Sequence, residues 1–232
     1  MADDDSDGEW VHPDWRREVD AVEKAGLDFA DFDVIRNWVV KLSFVQGKNK
    51  KSGSGFFINL PDVEKKHIIL TAAHNLIAPD GTRMTDVVVT YNNPDGRIKK
   101  DPVPPEDIYV GKNYVEGNPE VDYGVICIPK SSSNDHRGFG FSMKLAFAER
   151  FEGNVYVSGF QFGTIDGFPV TSTDPGGCEC QPTWVEYEAT TQKGISGSVV
   201  WIEYRKTQMA VAIQYGLSFP WAISVTNIIV DI

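Results

Sequence analysis

Three short segments of this chain carry side chains that could together attack a carbonyl. His67-Ile68-Ile69-Leu70-Thr71-Ala72-Ala73-His74-Asn75 reads as an apolar strand running into two small residues and a histidine. The alanines let the chain turn tightly, so the imidazole projects from the strand's end, placed to take a proton. In Val121-Asp122-Tyr123-Gly124-Val125-Ile126 an aspartate heads an apolar strand. A carboxylate there can be half-buried and held by backbone N–H groups, which suits a group that orients an imidazole without itself being protonated. Gly194-Ile195-Ser196-Gly197-Ser198-Val199 sets glycines on both sides of a serine. Such a turn exposes Oγ and aims the N–H groups of Gly194 and Ser196 into one hollow, where an oxyanion could sit.

Each segment alone has a plainer reading. A single histidine is commonly structural, an aspartate before a strand is commonly a solvated cap, and Gly-x-Ser-Gly is a common loop string. Their conjunction carries more. His74, Asp122 and Ser196 follow one another at separations of 48 and 74 residues, so the base falls in the first half of the chain and the nucleophile in the second.

The elements that must hold these groups are strands. Trp38, Val40, Leu42 and Phe44 alternate with Val39, Lys41, Ser43 and Val45, a period of two. Strand-like runs follow at Gly55–Leu60, His67–Thr71, Asp86–Tyr91, Ile108–Val110, Tyr123–Ile128, Asn154–Phe160, Thr183–Tyr187, Ser198–Tyr204, Met209–Tyr215 and Trp221–Val225. Asp80-Gly81, Asp95-Gly96, Asp166-Gly167 and Gly176-Gly177 punctuate them as turns. Many short strands imply a sandwich or barrel. Ahead of them, residues 1 to about 12 read as an acidic disordered tail. A short helix follows, with Pro13 in its first turn, Gly26 as its stop and Trp15, Val19 and Val22 on one face. The domain expectation is therefore 1–33 for tail and helix, and 34–232 for the folded body, with halves at about 34–129 and 137–232.

Composition bounds the function. Apolar residues make up 41% of the 232 and charged ones 24%, as in an ordinary globule with a sizeable core. A net charge of −11 argues against nucleic acid as a main partner, since phosphate binding needs concentrated Lys and Arg. The one basic cluster, Lys48-Asn49-Lys50-Lys51, reads as a solvated hairpin tip. No apolar run approaches the roughly 20 residues of a membrane span, so no membrane role is expected. The acidic start Met1-Ala2-Asp3-Asp4-Asp5 is unlike a secretory signal, and three cysteines do not make a disulfide framework. The expectation is a cytoplasmic protein, with a secreted mature form as the alternative. Cys127 reads as a core thiol, and Cys178 and Cys180 as free thiols in a Gly-rich loop. No cofactor or metal is called for, and the oligomeric state is not legible.

With these residues set out, a family can be named. The chain resembles the chymotrypsin-like (trypsin-like) serine proteases, nearest their compact glutamyl-endopeptidase branch, from about Asn37 onward. Ser52-Gly53-Ser54-Gly55-Phe56-Phe57-Ile58 resembles the family's strand before the histidine. Thr71-Ala72-Ala73-His74, Asp122-Tyr123-Gly124-Val125 and Gly194-Ile195-Ser196-Gly197-Ser198 resemble its three boxes. The order His, Asp, Ser is also that of two-barrel proteases, not of subtilisins or α/β-hydrolases. The resemblance implies two six-stranded antiparallel β-barrels and a serine endopeptidase acting on protein or peptide through an acyl-enzyme. Ser196 would be the nucleophile, His74 the general base, Asp122 the orienting carboxylate, and Gly194 with Ser196 the oxyanion hole.

The resemblance extends to a specificity pocket formed by Thr190, Thr191, Gln214, Tyr215, Gly216 and Leu217. Thr191 matches a hydroxyl residue of the glutamyl branch, whereas Gln214 stands where that branch has a histidine, either as a substrate contact or as a satisfied strand residue. Leu217 would narrow the pocket wall, and no carboxylate is in place to pair with a basic substrate side chain. The nucleophile loop also departs from the pattern, with Lys193, Ile195 and Val199 at positions usually filled by other residues. A catalytically inactive pseudoprotease acting as a protein-binding module is the alternative these departures raise. Ile195 cannot pair with an ammonium, so activity is expected not to need a newly cut N-terminus. Burial in an apolar pocket would hold the loop instead, with the Trp15–Val22 helix either clasped on the surface or a mere tether.

Overall fold

A computed structural model describes residues 35–224 apart from 61–62, 64, 94, 112–113, 116–117, 131–137, 142–149, 162–163, 165, 182, 190–191, 205 and 216–220. The tail and the expected N-terminal helix lie outside the described residues.

The described chain is almost entirely β. Seven strands form a first antiparallel sheet: β1 (Val39–Gln46), β2 (Asn49–Ile58), β3 (Lys66–Thr71), β4 (Thr85–Asn92), β5 (Ile98–Pro102), β6 (Ile108–Val110) and β7 (Gly124–Pro129). Their spatial order is β5-β4-β1-β2-β3-β7-β6. Eight more form a second sheet: β8 (Arg150–Phe151), β9 (Val155–Gly159), β10 (Val170–Asp174), β11 (Cys178–Cys180), β12 (Trp184–Glu186), β13 (Val199–Tyr204), β14 (Thr207–Gln214) and β15 (Trp221–Ser224). These run in the order β10-β9-β13-β14-β15-β12-β11-β8. The architecture is the double barrel expected, with seven and eight strands where six and six were anticipated. The surplus comes largely from short strands such as β8 and β11, which have too few residues to show a periodicity of their own.

Three clusters of apolar side chains hold this arrangement. One fills the first sheet around Leu42, Phe57, Ile69 and Val89. Another fills the second around Val157, Val185, Val200 and Val211. The third joins the sheets, bringing Phe56 and Leu70 of the first against Tyr156, Val199 and Trp201 of the second. Strand β2 thus buries Phe56 on one side and Phe57 on the other, which is why its end, Phe56-Phe57-Ile58, is apolar without alternation. Burying side chains of this size removes them from water at about 1.5–3 kcal/mol each.

The turns follow the sequence. The hairpin between β1 and β2 pairs Gln46 with Asn49, so the basic cluster lies at its tip as expected. All four turn dipeptides place their second residue, a glycine in each, at φ between +80° and +82°. The cysteines differ from expectation in detail. Cys127 is only half-buried, within β7 near the ion pair between Lys66 and Asp107 at 2.7 Å. Cys178 and Cys180 lie on strand β11 instead of in a loop, because Glu179 and Cys180 pair with Glu186 and Val185. Cys178 is buried in the second core and all three thiols are free.

Candidate active site

The register of the first sheet brings the histidine and aspartate segments to one end. Strand β3 pairs Thr71 with Gly124 of β7, so the chain leaving β3 toward His74 passes the chain entering β7 from Asp122. Ala72 and Ala73 are fully buried where the chain leaves β3 and enters the 3-10 turn Ala73–Asn75. His74 emerges from that turn with its side chain 34% exposed.

Asp122 is 1% exposed, more deeply buried than the sequence suggested. Its Oδ1 accepts the backbone N–H of His74 at 2.8 Å, and its Oδ2 lies 2.5 Å from His74 Nδ1. The carboxylate therefore fixes both the backbone and the ring of His74. With Nδ1 engaged as the donor, Nε2 is the nitrogen left to act as base. The ring of Tyr215, just beyond β14, stands edge-on to His74 with centroids 5.9 Å apart.

Ser196 sits between two glycines in left-handed conformations, Gly194 at φ +96° and Gly197 at φ +85°. At Gly197 the need is also spatial, since a Cβ there would fall 2.2 Å from Ser54 O and 2.3 Å from Thr71 Oγ1. The loop's peptide groups are committed one by one. Ser196 O accepts from Ser54 N at 2.8 Å and from the Asn75 side chain at 3.0 Å. Gly194 O accepts from Ser54 Oγ at 3.1 Å. Ile195 O accepts from Ser198 N, and Gly197 N donates to Gln214 O at 2.8 Å. The N–H groups of Gly194 and Ser196 donate to no acceptor among the described residues.

Ile195 is 1% exposed and packs in the second core with Phe151, Cys178 and Tyr187. The loop is thus anchored on its inner side by apolar burial, as its sequence suggested. Burial pushes the Tyr187 hydroxyl well above the ordinary tyrosine range, and the neighbouring Cys178 adds to it.

Of the pocket residues, Gln214 is buried and continues the β14 ladder, its N–H donating to Ser198 O at 2.9 Å. Tyr215 is half-buried. Thr190, Thr191, Gly216 and Leu217 lie outside the described residues. Sequence reasoning missed Asp174, a buried carboxylate that accepts the N–H groups of Gly176 and Glu188 and so anchors the segment leading to Thr190. It also missed Ser54 and Asn75, whose contacts reach the Ser196 loop only in three dimensions.

The two sheets and their strand order are a likeness, in fold alone, to the chymotrypsin-like serine proteases. The protease Anisep from Arthrobacter nicotinovorans superposes with a TM-score of 0.56 at 15% identity, over 81% of this chain and 89% of that one. The active form of the Rv3671c protease from M. tuberculosis gives 0.57 at 16% identity, over 86% and 81%. A scabies mite inactivated protease paralogue, S-I1, gives 0.57 at 16% identity, over 88% and 96%. No protein-family model and no curated protein sequence matches the chain. At these identities the likeness gives the fold, and it does not single out the glutamyl-endopeptidase branch. Proteases and an inactivated paralogue share that fold, so function has to be argued from the site.

Proposed function

We propose that this chain is a serine endopeptidase that hydrolyses protein or peptide substrates through an acyl-enzyme. The observation that carries the reading is the paired grip of Asp122 on His74, joined to a proposed nucleophile loop whose Gly194 and Ser196 amides are uncommitted among the described residues. His74 Nε2 takes the Ser196 proton as Oγ attacks the peptide carbonyl, and Asp122 stabilises the resulting imidazolium. The N–H groups of Gly194 and Ser196 hold the oxyanion. The tetrahedral intermediate collapses as His74 returns the proton to the leaving amine. Water, activated by the same imidazole, then releases the acyl group.

The pocket of Thr190, Thr191, Gln214, Tyr215, Gly216 and Leu217 is proposed to favour an uncharged or small polar side chain before the scissile bond. It offers hydroxyl and amide partners, and an Arg or Lys entering it would lose its hydration without finding a carboxylate. The folded protease unit is proposed to span 34–232. No described helix is long and apolar enough to cross a membrane, and the cysteine economy supports a cytoplasmic setting.

The experiment is a peptide-library digestion with the intact chain and with Ser196→Ala. Cleavage that disappears in the variant, without dominant Arg or Lys before the cut, supports the reading. A folded wild-type protein that cleaves nothing would instead support a pseudoprotease binding module.

A further inference from the structure

His74 lies on the turn after β3 of the first sheet and Ser196 on the loop before β13 of the second, 122 residues apart in sequence. Productive attack needs their relative position held to about 0.5 Å, and apolar packing between two sheets is a blunt means to that end.

We propose that Asn75 is a positioning residue that fastens the nucleophile's backbone to the turn carrying the general base. The proposal rests on reading Ser196 as the nucleophile. Asn75 follows His74 directly, is 3% exposed, and is tied into the turn by its N–H to Ala72 O at 3.1 Å. Its side-chain amide donates to Ser196 O at 3.0 Å and to Thr71 Oγ1 at 3.1 Å. Thr71 Oγ1 donates in turn to Ser54 O at 2.6 Å, and Ser54 N donates to Ser196 O at 2.8 Å. The bonds close a ring through Ser196 O, Asn75, Thr71 and Ser54.

Two glycines make room for this ring. A Cβ at Gly53 would fall 2.5 Å from the amide nitrogen and oxygen of Asn75, and one at Gly197 would fall 2.8 Å from that nitrogen. The amide therefore fills a slot shaped around it. Its role depends on donating, since Ser196 O is an acceptor and a carboxylate in the slot would set oxygen against oxygen. Ser54 extends the bracket, because its hydroxyl also holds Gly194 O at 3.1 Å and accepts Phe160 N at 2.8 Å. Both carbonyls flanking Ile195 and Ser196 on the outer side are thereby turned toward the first sheet.

The test measures two things on the full chain carrying Asn75→Asp, which keeps the shape and removes both N–H donors. The first is the saturation kinetics of a fluorophosphonate probe. The limiting rate should fall about 10–100-fold, as displacements near 1 Å do, with the half-saturation concentration and final labelled fraction near wild type. The second is amide hydrogen exchange at Ser54 and Gly197, which should quicken. Thr71→Val, which removes the amide's other anchor on a strand that favours β-branched residues, should show the same changes more weakly and serves if Asn75→Asp does not fold. A merely structural role would lower the final labelled fraction and the melting temperature together, with an unchanged rate per folded molecule and unchanged exchange at these two amides. That result overturns the proposal. If the wild type does not label at all, the nucleophile reading fails, and the exchange at Ser54 and Gly197 still decides whether Asn75 holds the loop.

Discussion

Asp122 reaches His74 twice, taking the backbone N–H with Oδ1 at 2.8 Å and facing ring Nδ1 with Oδ2 at 2.5 Å. One buried carboxylate thereby decides both where the imidazole sits and which nitrogen it turns outward. Asp122→Asn should preserve the backbone contact, since Oδ1 can remain an acceptor, but it replaces Oδ2 with a donor. The ring then adopts the wrong tautomer and its cation loses its partner. Peptide hydrolysis is expected to fall by roughly 10⁴-fold, the loss that the corresponding change causes in a known Ser-His-Asp triad. Steady-state kinetics beside far-ultraviolet circular dichroism would check it; full activity in a folded variant would contradict the assigned role.

Ile195 provides a second expectation. It is 1% exposed among Phe151, Cys178 and Tyr187, so the loop is held from within by burial. Ile195→Val should cost about 0.5–1.5 kcal/mol and Ile195→Ala about 2–5 kcal/mol, read by denaturant unfolding. Ile195→Asp would place a charge in that core without a cation and should prevent stable folding. Acetylating the chain's N-terminus should leave probe labelling unchanged. If labelling appears only after cleavage at one site before Trp38, and disappears when the new amine is blocked, burial of Ile195 is not what orders the loop.

The two sheets are also joined by charge. Asp166, on the turn after β9, accepts Lys41 of β1 and Lys100 of β5, each at 2.8 Å. Hydrogen bonds from Lys100 and then Lys41 hold its carboxyl below the ordinary range. A depressed carboxyl stabilises the fold above its unfolded pKa of about 3.9, and that contribution is lost as pH falls through the lower folded value. The site is partly exposed, so the gain should be at most about 1 kcal/mol, or some 2–4 °C in a chain of this size. Asp166→Asn should therefore lower the melting temperature slightly at pH 7, less at high salt, with the difference vanishing at strongly acid pH. A gap that persists there would point to a cause other than the ion pairs.

Much of the candidate site was legible because the proposed chemistry would demand particular residue types in local patterns. The approach of Ala72-Ala73 to His74, the strand behind Asp122 and the glycines around Ser196 each show within a few residues. Most strands were legible for a similar reason: β1, β3, β7 and β13 bury alternating or continuous apolar faces. The strands that went unread were β5, β8, β10 and β11, and three of these are sheet edges. Strand β5, Ile98-Lys99-Lys100-Asp101-Pro102, alternates only between exposed and half-buried. An edge strand packs less and is charged against further pairing, so it carries little hydrophobic signal. The bracket formed by Ser54, Thr71 and Asn75 was unreadable for another reason. Its partners lie as much as 142 residues apart, and no local pattern records a contact between an asparagine amide and a distant carbonyl.

The most direct measurement is covalent labelling of the intact protein with a fluorophosphonate, followed by mass spectrometry of the modified peptide. The account predicts one phosphonyl group on Ser196 Oγ, no labelling in Ser196→Ala, and labelling slowed by several orders of magnitude in His74→Ala, with all three proteins folded. A folded wild-type chain that stays unmodified at saturating probe, or that carries the group on another residue, would contradict it.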